Sequence, residues 1–289
     1  MDLLSTDLTY SAETDPRRFR QRVAAFLEQA PVERTLPITV LDAVQSGLYT
    51  AAVLALVAAE DGAVTGCAIQ TPPHNLIVAA STTDAVHALA RGLRAHKHEF
   101  PGVVGLTPWV HEFARVWCEG GAGLTSEDDR AERLFQLAVV APPRPALGSA
   151  RLATLDDLDL LVDWNEAFGR EVGGARPPDL RRSLVVRVET GRTWLWVAGG
   201  EVVSYAGHSP VLLEHARIGP VYTPSTRRGA GFASNLVAHV SGRLLELGAV
   251  PTLFTDLANP TSNAIYRALG YTAVADAFEV RFVPPAPDR

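Results

Sequence analysis

Apolar residues recur along this chain with two periods, and the order of the elements they predict comes round twice. Thr14-Asp15-Pro16 opens a helix with proline at its first position, and Phe19, Val23, Phe26 and Leu27 form one stripe on it. A short helix is expected over Ile38 to Ser46. Tyr49 to Ala58 is an apolar run closed by the turn signal Glu60-Asp61-Gly62, and Ala63 to Gln70 reads as its hairpin partner. Thr71-Pro72-Pro73 breaks the chain before a strand at Leu76 to Ala80. Thr83 to Ala95 is helical, with Val86, Leu89 and Leu93 inward. A strand at Val103 to Leu106, a helix at Trp109 to Glu119 and a strand at Arg133 to Val140 close this half.

Ala141-Pro-Pro-Arg-Pro-Ala-Leu-Gly148 interrupts the pattern. Its prolines fit neither a helix interior nor a central strand, so it marks a boundary. The expected division is a first domain over 1–141, a linker over 142–149 and a second domain over 150–289. In the second half Ala150 to Ala153 is a strand. Asp156 to Phe168 is a helix presenting Leu158, Leu161, Val162 and Asn165, and Pro177-Pro178 opens a helix through Val188. Thr193 to Ala198 and Val202 to His208 form a hairpin about Gly199-Gly200, and Val211 to Tyr222 is the next strand. A long helix runs from near Gly231 to about Leu247, with Ala233, Leu236, Val237, Val240, Leu244 and Leu247 at helical spacing. Val250 to Thr255 is a buried strand and Pro260 to Leu269 a helix that Gly270 ends. Tyr271 to Val274 and Phe278 to Val283 read as two last strands, before a frayed tail from Pro284.

Composition narrows the class of protein. At 289 residues, 47% hydrophobic and 20% charged, the chain is globular and long enough for two domains. A net charge of -6 argues against binding nucleic acid through bulk phosphate contacts. Cys67 and Cys118 lack metal-ligand spacing and are expected as reduced thiols in a cytoplasmic protein. Neither a membrane span nor a signal peptide is expected. His96-Lys-His98 follows a helix and reads as polar capping of its C-terminus rather than a metal site. Trp109 and Trp117 read as packing anchors.

The chemistry concentrates in Ile218-Gly-Pro-Val-Tyr-Thr-Pro-Ser-Thr-Arg-Arg-Gly-Ala-Gly-Phe-Ala-Ser234. A strand, a turn at Pro224, two arginines and two glycines feed a helix. A helix start leaves backbone N–H groups unpaired and carries the positive end of the dipole, which together favour an anion. Gly229 and Gly231 let the backbone approach that anion, and Arg227 and Arg228 add charge. A P-loop needs Gly-Lys, which does not occur here, and a dinucleotide fingerprint is only partly met by Gly229 to Ser234. Arg228-Gly-Ala-Gly231-Phe-Ala233 fully meets Arg/Gln-x-x-Gly-x-Gly/Ala, and so resembles the pyrophosphate loop of the GNAT superfamily of N-acetyltransferases. About 30 residues on, Asn259-Pro-Thr-Ser-Asn263-Ala-Ile-Tyr266-Arg-Ala-Leu-Gly270-Tyr271 resembles that family's C-terminal motif, with every constrained position filled. The resemblance covers residues 150–283.

The resemblance implies an α/β (α+β) fold of tandem GNAT-like domains, each a mixed, mostly antiparallel central sheet flanked by helices. It implies acetyl-CoA as co-substrate and direct attack of a primary amine on the thioester, without a metal. Arg228, Gly229, Ala230, Gly231, Phe232, Ala233 and Ser234 would hold the pyrophosphate. Val221, Tyr222 and Thr223 would pair with the pantetheine amides as an extra strand, with a backbone N–H near Val221 facing the thioester oxygen. Asn259 and Asn263 would bond the cofactor arm and fix their helix, and Tyr266 would protonate the leaving thiolate. For the general base Glu214 ranks first, ahead of His208, His215, Asp256, Glu166 or a water chain. The partners expected are the amine acceptor, small or protein-borne, and a second copy of the chain in a homodimer, with no nucleic acid and no membrane.

The first half repeats the element order without the cradle. At the equivalent point Ala79-Ala-Ser-Thr-Thr-Asp84 has no glycine and caps a helix through Ser81, Thr82 or Asp84. A degenerate GNAT-like domain and an unrelated α/β domain fit it equally. An active acyltransferase and a non-catalytic acyl-CoA sensor are the two functional readings, and an intact Tyr266 favours the first. A third, with both halves binding CoA, is disfavoured by the glycine-free loop. The acceptor is not legible, because its loops fall in stretches such as Gly169 to Pro178.

Overall fold

A computed structural model describes residues 8–121, 123–173 and 179–285. Its elements are β1 (Thr9–Glu13), α1 (Pro16–Glu28), α2 (Thr35–Gln45), β2 (Val53–Ala58), β3 (Val64–Gln70), β4 (Leu76–Ala80), α3 (Thr83–Ala95), β5 (Gly102–Leu106), α4 (Trp109–Glu119) and β6 (Thr125–Gln136). The second series is β7 (Ser149–Leu152), α5 (Leu158–Val172), α6 (Leu180–Glu189), β8 (Thr193–Ala198), β9 (Glu201–His208), β10 (His215–Tyr222), α7 (Phe232–Glu246), β11 (Val250–Asp256), α8 (Pro260–Ala268) and β12 (Thr272–Val283). The fold is mixed α/β with mostly antiparallel strands, as expected. The described residues form two compact units. The first takes residues up to 134, with 256–258 and those from 274 onward; the second takes 135–255 and 259–273.

In the first unit the strand order is β1-β2-β3-β4-β5-β12-β6, with β4 and β5 parallel and β12 antiparallel to β5. Its core is built by the inward faces of α3 and α4, including Val86, Leu89, Leu93, Phe113 and Trp117, against Leu76, Val78 and Val103. Thr82 caps α3, its hydroxyl accepting from Ala85 N at 3.2 Å. The glycine-free segment therefore does use its polar side chains on its own helix start.

Two expectations fail here, for the same reason. The strand expected from Arg133 begins at Thr125, and the two strands expected after Gly270 are one, β12. Both segments are rich in charge, so neither carries a simple apolar alternation. The charges are paired instead. Arg133 makes a two-pronged contact with Asp276, Nε to Oδ1 at 2.7 Å and Nη2 to Oδ2 at 3.0 Å. Arg281 meets Glu127 at 2.8 Å and Arg130 meets Glu279 at 3.6 Å. Strand β1 was not anticipated at all; it is short and polar, and it pairs along β2.

In the second unit the order is β11-β10-β9-β8-β7. Helices α7 and α8 cover one face, through Leu236, Val237, Val240, Leu244, Tyr266 and Leu269. Helices α5 and α6 cover the other, through Leu158, Leu161, Leu180, Leu184 and Val188. Each fully buried aliphatic side chain in these stripes contributes about 1.5–3 kcal/mol relative to exposure. Gly173 ends α5 with φ 70°, so the helix expected to stop at Phe168 runs one turn further. Pro177 and Pro178, expected to open α6, lie outside the described residues, as does the end of the tail. The linker belongs with this unit: Ala141 N donates to Leu269 O at 2.9 Å and the Trp196 indole to Leu147 O at 2.8 Å.

Candidate active site

Strand β10 separates from its parallel neighbour part-way along. Its ladder with β11 covers His215↔Val250, Ala216↔Pro251 and Arg217↔Thr252, and ends there. From Ile218 onward an edge of β10 is therefore left for another partner. On the opposite side Ile218 faces His208 but Val221 faces Ala206, three steps against two. The extra residue is a bulge, and it reverses the face taken by each side chain after it. Ala216 and Ile218 lie in the core under α7 and α8, and after the bulge Val221 packs there while Tyr222 turns into the α5–α6 core. Ser204 holds the strand end, donating to the Tyr222 carbonyl at 3.0 Å and accepting from the Thr223 hydroxyl at 2.8 Å.

The chain then makes one tight turn over Ser225–Arg227 and enters α7. Gly229 and Gly231 have φ of 81° and 83°, in the left-handed region that side chains resist. Gly231 is the N-cap of α7 and no side chain caps the helix. The bond that opens the helix runs from Asn235 N to Gly231 O at 3.1 Å, so Phe232, Ala233 and Ser234 have no intrahelical acceptor for their N–H groups. Residues 225–230 are exposed, so these donors face an open loop. The Asn235 side chain donates both to Gly231 O at 2.9 Å and to Arg144 O at 2.8 Å, pinning the proline-rich linker against the first turn.

Arg228 does more than add charge to the loop. Its Nε donates to the Thr223 carbonyl at 2.8 Å and its Nη2 to Glu171 Oε2 at 2.6 Å, with the guanidinium 5.9 Å from the centre of the Tyr222 ring. The Tyr222 hydroxyl donates to Glu171 Oε1 at 3.4 Å. Burial, with the Glu171 charge second, pushes the Tyr222 phenol above its ordinary pKa. Arg227 pairs with Glu201.

On α8, Asn259 is the N-cap, its side chain accepting from Ser262 N at 3.0 Å. Asn263 is buried and donates to the Asn259 carbonyl at 2.7 Å. Both asparagines therefore fix the helix start. Tyr266 is 9% exposed, and burial pushes its phenol up to about 12. It shares one core with Ile218 and Val221, so it lies on the same face of the sheet as the freed part of β10.

Glu214 is not placed with these groups. It has φ 61° and stands in the exposed turn before β10, because Leu212 and His215 bridge to close that turn. The strand expected from Val211 thus begins only at His215, and Glu214 is at its far end from Tyr222. The whole of β10, eight residues ending at Tyr222, separates the two, roughly 25 Å at about 3.3 Å per residue. His215 sits at that same end, its ring bonded to Leu213 O. His208 is buried, its imidazole bonded to Ser209 O at 2.8 Å and its pKa lowered chiefly by burial. Glu166 lies on α5, 4.0 Å from Arg170, and Asp256 groups with the first unit. The carboxylate that does reach the cradle, Glu171, was missed because its helix was expected to stop before it. The spacing of Trp164, Phe168 and Glu171 on one helix face was the signal available.

The acetyltransferase (GNAT) family model matches residues 158–271. That segment is a GNAT domain. It contains β10, the loop, α7 and the Asn259–Tyr271 run. No curated protein matches the chain. Solved structures share its fold over nearly the whole length. A GCN5-related N-acetyltransferase from Sphaerobacter thermophilus is 17% identical with TM-score 0.66, covering 99% of each chain. A GNAT-family acetyltransferase from Colwellia psychrerythraea is 12% identical with TM-score 0.62, covering 95% of this chain and 98% of its own. A tandem GNAT protein from the clavulanic acid biosynthesis pathway is 14% identical with TM-score 0.61, covering 98% and 100%. At such identities the likeness shows the fold. Among the described residues no group of three or more His, Cys, Asp or Glu is arranged to hold a metal ion. Among them no helix is long and apolar enough to cross a membrane.

Proposed function

We propose that the GNAT domain of this protein transfers an acetyl group from acetyl-CoA to a primary amine, by direct attack within a ternary complex. The observation that carries this reading is the freed edge of β10 running directly into an uncapped helix start. The edge offers backbone groups to an amide-bearing arm, and the helix start offers N–H groups to a diphosphate. A Cβ at Gly229 would meet nothing within 4 Å, so the loop is open on that side and leaves room for the diphosphate.

Acetyl-CoA supplies an activated thioester. The chain's own residues do the rest. Gly229 to Ser234 receive the diphosphate through main-chain N–H groups. Val221 to Thr223 pair with the arm; the Tyr222 carbonyl is taken up on the β9 side by Ser204, while the Thr223 carbonyl keeps a second lone pair after bonding Arg228. A backbone N–H at Val221 steadies charge developing on the thioester oxygen. Tyr266, held protonated by its raised pKa, donates its proton to the departing thiolate. The acceptor amine loses its proton to a water chain, since Glu214 stands at the wrong end of β10.

The test is steady-state release of free CoA thiol from acetyl-CoA across a panel of primary amines and peptides. Turnover with at least one amine is expected. Tight acetyl-CoA binding with no turnover on any amine would replace this reading with that of an acyl-CoA sensor.

A further inference from the structure

We infer that α5 and the end of β10 form the acceptor pocket, and that it takes a primary ammonium carried on an apolar or aromatic body. The inference rests on the reading above, whose site it extends. Trp164, Phe168 and Glu171 fall at i, i+4 and i+7 on α5 and so share one face. All three meet the same side chain. The Trp164 ring stands edge-on to Tyr222 at 5.8 Å, Phe168 does the same at 6.5 Å, and Glu171 accepts from the Tyr222 hydroxyl. Tyr222 is the residue the bulge turns to this side, and its neighbours Val221 and Thr223 are those assigned to the acyl-bearing arm. The stripe therefore lies beside the place where the acyl group would be presented.

The stripe is graded in polarity. Trp164 and Phe168 are half-buried and leave aromatic surface uncovered, while the Glu171 side chain is 43% exposed. Aromatic faces attract both apolar bodies and cations, and a carboxylate at one end fixes which end of the ligand carries the charge. A neutral acceptor gains only from the aromatic surface, and an anionic one is repelled by the carboxylate. Arg228 is the one complication, because it already neutralises part of Glu171. A diphosphate at the loop places negative charge on the other side of that guanidinium. The Glu171 position then becomes more attractive to a cation by ordinary Coulomb interaction. Donor and acceptor sites are thereby coupled through the Arg228–Glu171 pair, and the amine binds better to the CoA complex than to the free protein.

The experiment has a kinetic arm and a binding arm. In the first, arylalkyl primary amines are compared with hydrophilic amines of equal chain length and with short peptides. The expected result is about ten-fold or greater preference in kcat/KM for the arylalkyl amines. Glu171→Gln should raise the amine KM about ten-fold while acetyl-CoA affinity, by calorimetry, is kept or tightened; Glu171→Asp should recover part of the loss. In the second arm phenethylamine is titrated into full-length protein with and without CoA, reading tryptophan fluorescence. A signal change that is stronger with CoA, absent in Trp164→Phe and weakened in Glu171→Gln is expected. Preference for hydrophilic amines or peptides, or a Glu171→Gln variant with unchanged amine KM, overturns the inference and leaves the acetyltransferase reading standing. Absence of turnover with every amine overturns the acetyltransferase reading. In that case phenethylamine binding that depends on Glu171 still supports a cationic-amine pocket, and no such binding overturns it.

Discussion

The Tyr266 and Tyr271 rings stand edge to face with centroids 5.8 Å apart, and the Tyr271 hydroxyl is tied to Ser241 Oγ at 2.8 Å. Of the pair, Tyr271 is held by another side chain, whereas among the described residues nothing takes the Tyr266 proton. That leaves Tyr266 free to act toward a ligand. Tyr266→Phe should lower kcat by roughly a hundred-fold, the scale of a lost general acid, and leave the acetyl-CoA dissociation constant unchanged. Rapid-mixing kinetics with calorimetry check this, and an unchanged kcat removes the acid assignment.

The same two tyrosines set an alkaline limit on stability. Burial raises both phenols, Tyr266 up to about 12. Folding thus disfavours their ionised forms. Their contribution is fully present below the unfolded tyrosine pKa of about 10 and is lost as pH rises through the folded values. Denaturant midpoints should fall between pH 9 and pH 11, and Tyr266→Phe should make that fall shallower.

A corresponding acid limit lies in the first unit. Glu112 bonds Arg115 through both oxygens, at 3.0 and 2.7 Å, and also meets His87. Arg115 first and His87 second pull the Glu112 carboxyl down to about 2. Its stabilisation is present above the unfolded value near 4.5 and disappears as pH falls toward 2. Melting curves of Glu112→Gln should lie below those of the parent at pH 6 and converge with them at pH 2.5.

The Arg133–Asp276 pair holds two charged strands of the first unit in register. Both groups feel it: Asp276 is lowered and Arg133 raised, each chiefly by their shared hydrogen bonds. The side chains are about a third exposed, so Asp276→Asn should cost only about 0.5–1 kcal/mol, seen as a small drop in denaturation midpoint. Removing residues from 274 onward should do far more, because β5 would lose one of its two neighbours along Gly102 to Leu106 and become an open edge. Insoluble or unfolded truncated protein is the expected result.

How much of this was legible follows from where apolar residues sit. Helices α3, α4 and α7 show their buried stripes openly, and the cradle shows through glycines and a helix start. The strands β6 and β12 did not, because Thr125 to Arg133 and Asp276 to Arg281 carry charges, many of them exposed, that pair across the two strands where an apolar alternation would otherwise stand. Glu214 misled because the tight turn at Leu213 and Glu214 has no glycine or asparagine to announce it; both residues have positive φ. Glu171 was hidden by Gly169, which reads as a helix end but lies inside α5. The bulge at β10 falls on Gly219-Pro220, residue types that interrupt a strand ladder, so the break was legible there, but that it would turn Tyr222 toward α5 was not.

The final prediction separates two glycines of the α7 region. A Cβ at Gly231 would have room, with Ala146 Cβ and Asn235 Nδ2 both 3.6 Å away, so space is not what excludes alanine there. Its φ of 83° does, at a cost of roughly 1–2 kcal/mol. Relieving that strain rotates the peptide that aims the Phe232 N–H, so Gly231→Ala should weaken acetyl-CoA binding about ten-fold, or about 1.4 kcal/mol. Gly242 lies within α7 with nothing inside 4 Å of an added Cβ. Gly242→Ala should stabilise the helix by about 0.5–1 kcal/mol and leave binding unchanged. Calorimetric titration of both variants decides the matter. If Gly231→Ala binds acetyl-CoA as the parent does, the start of α7 is an ordinary helix terminus and the anion is held elsewhere.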